Sequence, residues 1–100
     1  MKMYIALKES LPLGHALNTA AHAGLACYLK FKHLPNTQDW ISHSFKKVTC
    51  SVTDEEFEAL KSIPNHVVLT EDKLGNMETA IILAPRKEWP TIVQELRLWK

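Results

Sequence analysis

Apolar residues fall along this chain in short continuous runs, separated by longer stretches where they recur every third or fourth position. Met3 to Leu7 is the first run. Being nearly continuous, it predicts a central strand buried on both faces. Glu9-Ser10-Leu11-Pro12 predicts the turn out of it. From about Gly14 to Lys32 the spacing becomes helical, and Lys30, Lys32 and His33 suit the negative end of that helix dipole. Leu17, Ala20, Ala21, Gly24, Leu25 and Tyr28 form a small, apolar face expected to pack closely on a sheet. His15, Asn18, Thr19 and His22 stand at i, i+3, i+4 and i+7, so they share an adjoining polar face.

Pro35 predicts a stop after this helix, and Gln38 to Ser44 has room for one helical turn around Trp40 and Ile41. Phe45 to Val52 alternates, with Val48, Cys50 and Val52 on one face, and predicts a second strand. Thr53-Asp54-Glu55-Glu56 has the pattern of a capping box. The helix it opens carries Phe57, Leu60 and Ile63 and ends before Pro64-Asn65. His66 to Glu71 predicts a third strand, Asp72 to Asn76 a turn with Gly75-Asn76 at its tip, and Met77 to Ala84 a fourth strand antiparallel to the third. A last helix is expected from Glu88 or Pro90 to the end, with Ile92, Val93, Leu96 and Trp99 facing the core. Helical connections make the first three strands parallel, with right-handed crossovers. The expected fold is α/β: a three-layer α/β/α sandwich on a mixed four-stranded sheet, one domain over residues 1–100.

Composition narrows the function classes. The formal net charge of +1 gives no support to a strongly nucleic-acid-binding surface. Lys30, Lys32, Lys46, Lys47, Arg86 and Lys87 either track a nucleic-acid backbone or form a solvated face. No apolar run approaches the roughly 18 residues of a membrane span. The start Met1-Lys2-Met3-Tyr4 is too quickly charged for a signal peptide, so the expectation is a soluble, cytoplasmic protein without a membrane partner. Cys27 and Cys50 are expected as reduced core thiols. Trp40 is either core or, if exposed, a partner contact.

The polar face of the first helix is the natural place to look for chemistry. His22 is either a general base, imidazole having an ordinary pKa of about 6.5, or a histidine hydrogen-bonded under the sheet. His15, nearer the helix N-terminus, is either an anion contact or a first-turn polar residue. Asn18 and Thr19 can orient water or donate to a carbonyl. Asp72 can orient a histidine or simply shape its turn. No metal is expected: His15 and His22 lie about 10 Å apart along the axis at 1.5 Å per residue, and no close Cys or His pair accompanies them. No Gly-rich phosphate loop or Gly-x-Ser-x-Gly elbow appears, and no cofactor is called for.

The order of elements, together with Gly14, Thr19, His22 and Ala23 in the first helix, resembles the type II peptidyl-tRNA hydrolase superfamily over essentially the whole chain. The acidic helix from Thr53 to Lys61, the pair Glu71-Asp72, and Thr79-Ala80-Ile81-Ile82-Leu83-Ala84-Pro85 are also similar to that family. The run from Leu11 to Ala21 and the ending Glu95 to Lys100 are similar to divergent branches of it. The resemblance implies strand order 2-1-4-3, frequent homodimers, and metal-free cleavage of the ester joining a peptide to the 3′ ribose of tRNA. It gives weight to Thr79 beside His22 and Asp72 as catalytic residues, with His15, Asn18 and Thr19 binding substrate. Two differences stand out. His15 and Thr19 occupy positions where the family has Lys and Gln, and the turn from Asp72 to Glu78 is several residues shorter. Two readings follow: a hydrolase of peptidyl-tRNA or a related aminoacyl ester, and a non-catalytic, dimeric module binding RNA or a small ligand. Under the first, His22, His15, Asn18 and Asp72 line one cleft at the strand ends, with Thr79 beside them.

Overall fold

A computed structural model describes residues 1–99. Its strands are β1 (Lys2–Lys8), β2 (Lys46–Val52), β3 (His66–Glu71), β4 (Met77–Arg86) and β5 (Arg97–Leu98). Its helices are α1 (Leu13–Phe31), α2 (Pro35–His43), α3 (Asp54–Leu60) and α4 (Thr91–Gln94), with a 3-10 turn at Asp72–Leu74. The strands form one mixed sheet in the order β3-β4-β1-β2-β5. β1 runs parallel to β2, while β4 is antiparallel to both β1 and β3.

Strict alternation along β1 divides the core in two. Met3, Ile5 and Leu7 join Ala80, Ile82 and Ala84 of β4 under α1 and α2. Tyr4 and Ala6 join Cys50, Val52, Ile81 and Leu83 under α3. A strand buried on both faces reads as a near-continuous apolar run, and the Tyr4 hydroxyl is the single polar side-chain group in Met3–Leu7. The expected parallel and antiparallel relations hold, and α/β/α layering with them. Cys27 and Cys50 lie on opposite sides of the sheet as free thiols.

Four expectations are corrected. The sheet has five strands rather than four: read from the other edge, β2-β1-β4-β3 is flanked by β5 beyond β2. The last helix stops after Gln94, and Arg97–Leu98 pairs with Ser51 and Cys50. The Trp99 amide also donates to Thr49 O at 2.9 Å. A short terminal helix gains little by itself, whereas these backbone bonds satisfy the otherwise open edge of β2. Leu96 and Trp99 then pack on opposite faces of the sheet, Val93 is buried and Ile92 is exposed.

Pro35 begins α2 rather than merely ending α1, as its missing amide hydrogen is harmless at the first helical position. Trp40 of α2 is core, and its indole N–H donates to Lys46 O at 2.8 Å. Finally, α1 buries Ala16, Thr19, Ala23, Cys27 and Phe31, not the face predicted from Leu17 and Leu25. Both faces of this helix are apolar, so periodicity alone did not distinguish them.

Candidate functional site

Between α1 and the β3–β4 hairpin lies a cleft of about 80 Å³, lined by Thr19, His22, Leu69, Thr70, Glu71 and Thr79. Thr19 and His22 come from successive turns of α1. Thr19 is buried at the floor, and His22 is exposed at the rim. Val67 and Leu69 pack into the α1 side of the core. Alternation along β3 therefore brings Glu71 to the same side.

Thr79 reaches the cleft through a break in that alternation. β3 and β4 pair as Leu69↔Ala80 and then Thr70↔Glu78, so Thr79 is the extra residue of a β-bulge. Regular pleating would send Thr79 to the α3 side with Ile81. The bulge instead turns it toward α1 and leaves Glu78 to pair with Lys61, the residue that caps α3, at 2.8 Å. The Thr79 hydroxyl donates to Leu69 O at 3.3 Å. Its proton is thereby occupied, and its oxygen remains an acceptor.

The cleft brings together three of the sequence-derived residues: Thr19, His22 and Thr79. His15 is half-buried and Asn18 exposed on α1, and neither lines it. Asp72 is exposed in the 3-10 turn, where its backbone carbonyl accepts from the Gly75 amide at 3.1 Å. The acidic residue in the lining is its neighbour, Glu71, whose carboxylate accepts from the Lys73 amide at 3.2 Å. Sequence reasoning passed over Glu71 although the signal was available: Val67, Leu69 and Glu71 are two residues apart on one face of β3.

Neither thiol is suited to nucleophilic work. Burial pushes Cys27 up to about 12 and Cys50 up to about 11, so both are protonated near neutral pH. Among the described residues no group of three or more His, Cys, Asp or Glu is placed to hold a metal ion. No described helix is long and apolar enough to cross a membrane.

The fold and cleft thus define an α/β sandwich with a helix-borne histidine set against a bulged-strand threonine. A family model described as peptidyl-tRNA hydrolase PTH2 matches residues 1–98, and the chain belongs to that family. No curated protein shows a matching sequence.

Proposed function

We propose that this single-domain chain hydrolyses the ester between a peptide, or a related acyl group, and the 3′ end of tRNA. The observation that carries the reading is the convergence of His22, Thr19 and Thr79 on one cleft in a chain of the peptidyl-tRNA hydrolase family. A space of about 80 Å³ has room for two or three waters at roughly 30 Å³ each. It therefore suits an attacking water and an ester carbonyl, with the rest of the substrate lying outside.

His22 accepts a proton as the water oxygen bonds to the carbonyl carbon. Thr79, an acceptor toward the cleft, holds that water by one of its hydrogens. When the tetrahedral intermediate collapses, the ester C–O bond breaks and the protonated His22 returns its proton to the departing ribose oxygen. Thr19 donates to the substrate from the floor. Glu71, rather than Asp72, is the carboxylate available to steady the imidazolium. His15 and Asn18 lie along α1 outside the cleft, where they contact the tRNA end. A cytoplasmic location is part of this proposal and is supported by the choice of a tRNA substrate.

The test is release of peptide from N-blocked aminoacyl-tRNA. His22→Ala at equal folded concentration should lose activity by about 10²–10⁴-fold, the usual contribution of a positioned acid–base group. Full activity in the variant would remove His22 from the mechanism. No hydrolysis by the folded wild-type protein would overturn the hydrolase reading. The short turn after Asp72, with His15 and Thr19 in place of Lys and Gln, would then favour a non-catalytic module that binds RNA or a small ligand.

A further inference from the structure

The bulge that aims Thr79 at the cleft has its strongest side-chain contact on the opposite side of the sheet. Glu78, the residue before Thr79, faces α3, where its carboxylate accepts from the Lys61 ammonium at 2.8 Å. Lys61 follows the last residue of α3 and is itself held in place. Its ammonium lies 3.0 Å from the Glu58 carboxylate and 5.4 Å from the centroid of the buried Phe57 ring. Hydrogen bonds to Glu78 and then to Glu58 keep Lys61 above its ordinary pKa. A second cation, Lys8, lies 4.7 Å from the centroid of the same ring, but it is engaged with Asp54 at 3.4 Å. Lys61 is thus the ammonium that meets Glu78 on this face.

The alternative pairing shows what that contact decides. Continuing the ladder from Leu69↔Ala80 without a bulge would set Thr70 opposite Thr79 and Glu71 opposite Glu78. Thr79 would then point toward α3. Glu78 would turn to the cleft side, its carboxylate directly across from that of Glu71, and like charges so placed destabilise a strand pair. With the bulge, Glu71 is opposite Met77 and Glu78 crosses to Lys61. Thr79 and Glu78 exchange sides together, because a shift of one residue reverses the face of every side chain beyond it. We propose that Lys61 is a positioning residue for the hydrolytic site: by holding Glu78 on the α3 side, it fixes the bulge that presents Thr79 to the cleft. The inference rests on the hydrolase reading for its effect on rate, and on the pairing alone for its effect on structure.

Lys61→Met, which keeps the length of the side chain and removes its charge, tests this in the full chain by two readouts. The first is the pairing of β3 with β4, followed by cross-strand nuclear Overhauser contacts. In the wild type Thr70 should contact Glu78. In Lys61→Met that contact should give way to one between Thr70 and Thr79, with circular dichroism unchanged. The second is cleavage of N-blocked aminoacyl-tRNA at equal folded concentration. There kcat should fall about tenfold, the rate equivalent of one hydrogen bond of ordinary strength, with KM little changed. Adding Thr79→Val to Lys61→Met should cost no further rate, since both act through one hydroxyl. Lys61→Arg, which keeps the charge, should retain the wild-type pairing and rate. A general loosening of the structure would instead give losses that add. Unchanged strand pairing in Lys61→Met overturns the proposal, and so do additive losses in the double variant. If the folded wild type cleaves no ester, the hydrolase reading fails by itself, and the strand contacts still decide whether Lys61 sets the bulge.

Discussion

Thr79 shows how one residue's role depends on a single irregularity of pairing. Its hydroxyl donates to Leu69 O, and the residue lines the cleft. Thr79→Val keeps the shape and removes the hydroxyl. Chemical denaturation should register a loss of about 1 kcal/mol, and peptidyl-tRNA cleavage should show kcat down roughly tenfold with KM little changed, as expected for a contact to water rather than to substrate. Thr79→Ser should restore most of both. The bulge was not legible beforehand, because composition and alternation around Thr79 are those of an ordinary strand. His22 and Thr19 were legible because helical spacing fixes which residues share a face. The resemblance marks the pair Glu71-Asp72 as an acidic loop without saying which of the two carboxylates faces the cleft. The pleat of β3 carried that information.

At the scale of elements, α3 was the most readable. Thr53 and Glu56 form a complete capping box, with the Glu56 amide donating to Thr53 Oγ1 at 3.1 Å and the Thr53 amide donating to Glu56 Oε1 at 2.8 Å. Thr53→Ala should cost about 1 kcal/mol in chemical denaturation. The Thr53 amide is also the main reason that Glu56 titrates below its ordinary value, with help from the Arg97 guanidinium. The end of the chain was the least readable. Pro90 and the apolar spacing of Ile92, Val93 and Leu96 are consistent with a helix. What decided the outcome was the open edge of β2, a tertiary circumstance that no window of sequence contains.

Across the whole molecule one carboxylate and two thiols set the pH range of stability from opposite ends. Folding favours ionised Glu56, so its contribution is present above the ordinary carboxylate range and is lost as pH falls through the lowered value. Folding disfavours the thiolates of Cys27 and Cys50. Their contribution is full below the ordinary thiol value of 9.0 and declines as pH rises toward about 11 and 12. Urea midpoints should therefore fall on both sides of a plateau. Replacing both cysteines with alanine should flatten the alkaline side while lowering the plateau. In the native state neither thiol should react readily with a disulfide reagent at neutral pH, and both should react on unfolding.

The pairing of β1 has a consequence for how the chain is made. Lys2 is opposite Lys46 on one side and Arg86 on the other, and Leu7 is opposite Ser51 and Ala80. On a ribosome β1 must wait until β4 has been made before its second edge is hydrogen-bonded. Such long-range closure raises contact order and slows folding toward the millisecond range or beyond. Until β4 emerges, one edge of Met3–Leu7 is open and apolar. A nascent chain halted after Val52 should be a target for chaperones, and release of the remainder should bury that edge in a single late step.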